Sequence, residues 1–388
     1  MIPIQAVIYA NPDGYPPIIN GARVLAAHGF SMDIFCRETR ESWNIAYPEN
    51  VRVHRIRARA KNSKLQYAEF VSNVLLRANR KAPLFIGHDL HGFFPARLLA
   101  TTYNRPLVYQ SHELVDKSVS LPLAPRLLWK FQRRFAKSAN LIILPDADRL
   151  RIMSDELDLE RTPLVVANAP LRRVLPSGER IRNELSERGY IFDKIVFRQS
   201  NIGPGHAIET TIRSMPIWNN TNWGFVVMGP CREDYRLSLQ KLASEVGVSE
   251  RFVVLPPVAY DEVADFTLGA HIGHSLYTAV DLNNQFNATA SNKLLEYMAA
   301  GLPLIVSDRP RLRALVEKYQ CGLTADEGSP ESIADSVNTL LSDPQKTYEM
   351  GRAGRRTFEQ EFCFERQFAP VVDIISKLAF PNGKGTPS

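Results

Sequence analysis

Short β-branched runs alternate with longer stretches of helical spacing along almost the whole chain. IQAVIYA, SMDIF, VRVHRI, PLFIG, PLVYQ, NLIILP and PLVVAN are strand-like. GARVLAAHG, LQYAEFVSNVLLRANR and PARLLATTYN, which lie between them, carry apolar residues at helical intervals. Apolar strands buried on both faces and joined by helices mean parallel sheets with right-handed crossovers. The pattern then starts again. KIVFRQS, GFVVMG, RFVVLP, AHIGHSLY and LPLIVS are strands, separated by HAIETTIRSM, REDYRLSLQKLASEVG, DEVADFTLG and KLLEYMAAG. Between the halves, APLRRVLPSGE has two prolines, a glycine and little apolar content, and reads as a linker. A chain of 388 residues is long enough for two domains. The expected fold class is therefore α/β, with two doubly wound parallel-sheet domains facing a cleft. The predicted boundaries are 1–169, 170–364, a final helix at 365–379 and a disordered tail at 380–388.

Composition removes several classes. No run approaches the roughly 20 apolar residues of a membrane span. The start, MIPIQAVIYANPDG, lacks a basic leader region and reads as a first strand, so a cytoplasmic location is expected. Cys36, Cys231, Cys321 and Cys363 form no CxxC pair, which fits a reducing compartment. No metal or other cofactor is expected. The net charge of +6 is uneven: 23 Lys/Arg stand against 15 Asp/Glu up to Arg161, and 24 against 26 beyond it. A basic first half suits an anionic partner, either phosphate-bearing or a membrane surface, and a plain solvated surface is the alternative. The basic, amphipathic segment Leu121–Ala139 offers Leu127, Leu128, Phe131 and Phe135 as one apolar face. It suits either an anionic membrane surface or packing on its own sheet. There is no aromatic RNA-binding signature, and no nucleic-acid partner is expected.

In open α/β sheets ligands collect outside the C-terminal ends of strands, so chemistry is sought there. Ser291 and Gly301 bracket a helix as N-cap and C-terminal stop. Lys293 in its first turn opposes the helix dipole, a penalty that a bound anion would remove. Glu296, one turn inside, can accept two ribose hydroxyls. The alternative is a surface Lys293–Glu296 pair. The turn Ser200–Asn201–Ile202–Gly203–Pro204–Gly205–His206 follows a strand and opens a helix, and its glycines allow close backbone approach to a ligand. It matches neither common phosphate-loop pattern. His88, Asp89 and His91 follow one strand, and His112 with Glu113 follows the next. His88 and His112 are candidates to contact substrate or move a proton; structural histidines are the alternative. His271 and His274 read as packing residues. Asp146-Ala-Asp148 has a metal-binding look but sits at a helix start, where acids are favoured anyway.

These residues carry a resemblance. SNKLLEYMAAGLPLIVSD is similar to PNKLFEYMAAGKPVIAS, a signature of GT-B-fold glycosyltransferases of the retaining family 4 type. PLVYQSHELVD, KIVFRQSNIGPGHAIETTIRSM, GFVVMGP, RFVVLPPVAYDEV and LNNQFNATASNKLLEYM resemble further family segments, so the resemblance covers nearly the whole chain. It implies a GT-B fold and a UDP- or GDP-sugar donor. Glu296 would hold the ribose, with Ser291, Asn292 and Lys293 at the donor phosphates. Ser200, Asn201, Gly203, Gly205 and His206 would form the diphosphate turn, and Val258 would meet the nucleobase. His112 would approach the transferred sugar, supported by Asp89 or Glu113, with His88 beside it and His91 on the acceptor side. The implied acceptor is a glycan or polyprenyl-linked precursor of surface polysaccharide, used at the inner face of the membrane. The chain departs from the family at Ala288, where a second glutamate is usual, and at Ser200, His206 and Ala207 in the diphosphate turn. His206 replaces a fixed cation with a partly charged imidazole, and Lys293 and Arg198 are the candidates to compensate. The other readings are a catalytically weak homologue that binds nucleotide or glycan as a partner subunit, and a GT-B epimerase or phosphorylase.

Overall fold

The computed structural model describes residues 1–39, 43, 45–115, 122–159 and 162–380. Residues 381–388 of the expected tail at 380–388, and Leu121, lie outside the described residues. The chain forms two compact units. One is Met1–Asn168 together with the chain from Phe364 onward, and the other is Ala169–Cys363.

Among the described residues, the first unit holds a seven-stranded sheet. Its strands are β1 (Ile2–Ile8), β2 (Phe30–Arg37), β3 (Val51–Ile56), β4 (Phe85–His88), β5 (Leu107–Gln110), β6 (Leu141–Leu144) and β7 (Leu164–Val165). The spatial order is β3-β2-β1-β4-β5-β6-β7, all parallel. The order reverses between β1 and β4. The register pairs His88 with Gln110, so the residues that follow β4 and β5 emerge side by side. The run PLVVAN shrinks to the two-residue edge strand Leu164–Val165. The helix Phe364–Ala379 belongs to this unit, where Phe368 lies 3.6 Å from a Cβ built on Gly21.

The helix Leu123–Phe135 packs by Phe131 against Phe94, with ring centres 4.8 Å apart, and Phe131 meets Phe135 of its own helix at 4.6 Å. Leu127, expected on that apolar face, is instead 56% exposed. Gln132 is buried in its place because it finds a partner there, donating to the Tyr109 hydroxyl at 2.7 Å. Asp146 caps the helix Ala147–Leu157 by accepting the Asp148 N–H at 2.8 Å, which accounts for the acidic pair without a metal.

The second unit holds a six-stranded parallel sheet among its described residues. The strands are β8 (Lys194–Gln199), β9 (Trp223–Met228), β10 (Phe252–Leu255), β11 (Ile272–Ser275), β12 (Leu304–Ser307) and β13 (Gly322–Ala325). Their order is β10-β9-β8-β11-β12-β13, with the reversal between β8 and β11. β9 is buried along its full length, as a Val/Phe/Trp run covered on both faces must be. Trp218, Phe225, Val227, Ile305 and Val337 belong to the core around it. Gly273 pairs with Phe197, so His274 comes level with Arg198 at the reversal point. No described helix is long and apolar enough to cross a membrane.

Candidate donor site and histidine pair

The second unit gathers its polar residues where β8 and β11 end. Arg198 is fully buried. Its Nη1 donates to the Leu276 carbonyl at 2.9 Å and lies 3.1 Å from His274 Nδ1. The Thr211 hydroxyl donates to the Ala207 carbonyl (2.7 Å) and stands 2.8 Å from His274 Nε2. That hydroxyl has one proton, already given away, so Nε2–H must be the donor and Nδ1 the lone pair that takes Arg198. His274 is thus a neutral ring, consistent with burial holding its pKa well below the usual histidine range, helped by the Arg198 charge. Arg198 Nε and Nη2 are buried with no hydrogen-bond partner. The guanidinium faces the Tyr277 ring at 5.0 Å.

The helix Asn292–Ala300 supplies the other groups. Ser291 occupies the N-cap position but makes no side-chain capping bond, contrary to expectation. Its hydroxyl turns to Tyr277 Oη at 3.0 Å. The Lys293 ammonium donates to the same phenolic oxygen and sits 4.5 Å from the ring centre. Asn292 Oδ1 and the nearby Asn287 Nδ2 are buried without partners. Lys293 and Glu296 are 8% and 9% exposed, which excludes a surface ion pair. Glu296 is held instead by Gln199, whose amide donates to it and accepts the Thr267 hydroxyl at 2.5 Å. Burial pushes the Glu296 carboxyl up and the Lys293 ammonium down from their ordinary values.

The turn Ser200–His206 closes over this group. Gly205 has φ +88°, and a Cβ there would meet Val280 at 2.7 Å and Asn284 at 2.8 Å. Its carbonyl accepts the Thr278 N–H at 2.9 Å, tying the turn to the loop after Tyr277. His206 stands edge-on to Tyr277, 5.5 Å between ring centres, with Nδ1 buried and unpartnered. Burial, with Arg198 and Lys293 nearby, pushes its pKa down to about 2. The expectation of a partly charged His206 is corrected here: burial beside two cations keeps it neutral. Ala207, where the resemblance leads one to expect glycine, adopts φ 51°. A left-handed alanine costs about 1–2 kcal/mol.

Beside Glu296 opens a pocket lined also by Pro170, Leu171, Arg173, Val263, Ala300 and Arg355. The segment read as a linker thus forms a wall of this site. Val258 lies half-buried in the loop after β10 and does not line the pocket.

In the first unit, the ends of β4 and β5 bring His88 Nδ1 to 3.3 Å from His112 Nε2, the rings nearly parallel. Burial pushes His88 well down and His112 to about 4, so both are neutral and one donates to the other. Asp89 was expected to support the His112 ring. Its carboxylate accepts the backbone N–H groups of His112 (2.6 Å) and Glu113 (3.3 Å) instead, fixing the loop rather than the imidazole. Arg149 donates to the His112 carbonyl at 2.5 Å, and Tyr15 lies 6.1 Å from the His112 ring. His91 is apart from this pair, 5.7 Å from Tyr9 and 5.4 Å from Tyr67 between ring centres.

Sequence reading overlooked Gln199, Thr211, Tyr277 and Tyr297 in the second unit and Tyr15 and Arg149 in the first. Tyr277 and Gln199 did carry a usable signal, since each lies at or just past the end of a strand at the sheet's reversal point.

Two family models match, one in each unit: glycosyl transferases group 1 over residues 193–357, and a glycosyl transferase 4-like domain over 20–169. The chain belongs to the GT-B glycosyltransferases. It is 26% identical over 255 residues to the GDP-mannose-dependent alpha-(1-6)-phosphatidylinositol monomannoside mannosyltransferase of Mycobacterium tuberculosis. That match takes in 63% of this chain and 58% of the relative, so the chain spans less than two thirds of that relative's length. It is 23% identical over 371 residues to the D-inositol 3-phosphate glycosyltransferase of Corynebacterium glutamicum, covering 86% of this chain and 84% of the relative. Anabaena HepE, solved in complex with UDP and glucose, shares the fold with a TM-score of 0.76 at 15% identity, over 97% of this chain and all of that one.

Proposed function

We propose that this chain is a retaining glycosyltransferase that moves a sugar from a UDP- or GDP-sugar to a glycan or polyprenyl-linked acceptor, in surface polysaccharide synthesis and without a metal. The observation that carries the reading is the buried group in the second unit. Two cations, Lys293 and Arg198, have unpartnered Asn292, Asn287 and His206 atoms about them, and the Glu296 carboxylate lies one helical turn away. Such a set is complementary to a nucleoside diphosphate: hydroxyls to Glu296, phosphates to Lys293 and Arg198. As the glycosidic bond breaks, charge grows on the diphosphate oxygens, where these cations and the start of the helix Asn292–Ala300 stabilise it.

Neutral His112, hydrogen-bonded to His88, supplies a polar contact for the transferred sugar. The name of the mycobacterial relative favours a GDP-sugar, and the ligand of HepE favours a UDP-sugar. A peripheral location at the inner face of the membrane is supported by exposed Leu123 and Leu127 beside Arg126, Lys130, Arg133 and Arg134.

Thermal melting of the purified protein against UDP, GDP, ADP, dTDP and CMP, with and without magnesium, tests the reading. A ligand at about 100 times its Kd adds ~2.7 kcal/mol and moves the midpoint by several degrees. One nucleoside diphosphate should stand out equally in both conditions. No shift with any of them would exclude the donor site.

A further inference from the structure

Tyr277 is placed as a ligand would be. Its backbone is pinned, the N–H donating to Ser307 Oγ at 2.8 Å and the carbonyl accepting from the same hydroxyl and from Arg309. Its phenolic oxygen then reaches the spot on which Lys293 and Ser291 converge, with Arg198 over its ring and His206 at its edge. Burying Lys293 and Arg198 together without an anion would be strongly unfavourable. Glu296 is occupied with Gln199, and Arg309 has its own partner in Glu327 at 2.7 Å. His274 and His206 are neutral. The Glu296 carboxylate also acts on the Lys293 charge, but the oxygen in direct contact with the ammonium is the phenol.

We propose that Tyr277 is the resident counter-group of the donor-phosphate site: its phenolic oxygen holds the Lys293 ammonium while the site is empty and yields it to the diphosphate of an incoming nucleotide. The inference rests on the donor-site reading above and adds an exchange that the reading does not require. Burial pushes the Tyr277 phenol up, but Lys293 and Arg198 outweigh it and bring the pKa down to about 8. Tyr235 and Tyr297 in the same unit move the other way. A bound diphosphate returns negative charge beside the oxygen and raises its pKa again. Nucleotide binding above pH 8 therefore takes up a proton from solvent, converting phenolate and H⁺ to phenol. The neutral O–H is then free to donate to a phosphate oxygen.

The test is an ultraviolet titration of tyrosinate absorption on the full chain, with and without saturating UDP or GDP, alongside Kd measurements across pH. One tyrosinate should appear near pH 8 in the free protein and be suppressed by the nucleotide. Affinity should fall roughly tenfold from pH 7 to pH 9, with about half a proton taken up on binding at pH 8 in paired-buffer calorimetry. Tyr277→Phe should lack the early tyrosinate and show a flat affinity over that range. If the nucleotide binds but leaves the wild-type titration unchanged, the inference is overturned while the donor site survives. A tenfold fall that persists in Tyr277→Phe would assign the effect to Lys293 and likewise overturn it. If neither nucleotide binds at all, the donor-site reading falls and this one with it. The wild-type titration decides the matter by itself if the variant does not fold.

Discussion

Replacing Lys293 by methionine separates a ligand-binding role from a structural one, because the two predict opposite signs. The ammonium is 8% exposed, and its pKa is lowered by burial first and by Arg198 among its neighbours. Its charged form is therefore disfavoured in the folded state. Methionine fills similar volume without the charge, so Lys293→Met should leave the free protein more stable at pH 7 by on the order of 1 kcal/mol, ~2–4 °C for a unit of this size. The sign can be checked by pH. A lowered folded-state pKa means the unfolded chain binds more protons up to its pKa near 10.4, so wild-type stability should rise with pH toward that value. The variant should lack that rise. Ligand binding should move the other way. One charge-assisted hydrogen bond to phosphate contributes ~1.5–3 kcal/mol, so UDP or GDP should bind roughly 10- to 150-fold more weakly. The matching nucleoside, which has no phosphate, should bind as before. Calorimetric titration of nucleoside and diphosphate, with melting curves for the free proteins, reads both effects. A variant that melts lower and binds the diphosphate as well as wild type would make Lys293 a structural residue and refute the donor-site reasoning.

Glu296→Gln keeps an acceptor for the Gln199 amide but loses the carboxylate offered to ribose. UDP or GDP affinity should fall about tenfold or more while inorganic pyrophosphate, measured by competition, binds unchanged. Gly273→Ala places a Cβ 2.3 Å from the Tyr297 ring, whose hydroxyl accepts the Gln199 N–H. Overpacking there should cost about 1–3 kcal/mol, seen as a lower melting midpoint, and weaken nucleotide binding through the shifted helix. Asp89 is pushed up to about 6, by burial against its hydrogen bonds from His112 and Glu113. Its raised value makes its stabilising contribution complete below about pH 4 and lost as pH rises through 6. Urea unfolding should show wild type losing up to about 3 kcal/mol relative to Asp89→Asn between pH 4 and pH 7, an upper bound because the side chain keeps some solvent contact.

The sheets were legible because a parallel strand is buried on both faces, and that requirement writes itself into consecutive apolar residues such as WGFVVM. The ends of those strands then indicated where to look, and His88, His112, Lys293 and Glu296 all stand there. What sequence could not supply was protonation and partnership, since both come from residues far apart in the chain. His206 reads as half-charged when alone; burial in the folded unit makes it neutral, helped by Arg198 and Lys293, brought in from β8 and from the helix Asn292–Ala300. The family resemblance makes Asp89 or Glu113 a support for His112, yet the turn after β5 presents backbone N–H groups to Asp89. Ser291 reads as a capping residue, and its hydroxyl is diverted by a tyrosine fourteen positions earlier. In each case the surroundings supplied by another element (burial beside cations, backbone N–H groups or a phenol) outweighed what the neighbouring sequence suggests. Departures from local rules are expected where a site is shaped for a charged ligand, because such sites are built for binding rather than for local consistency. If the proposed donor site is right, the Ser291 hydroxyl and the Tyr277 phenol should lie at the phosphate position together with Lys293.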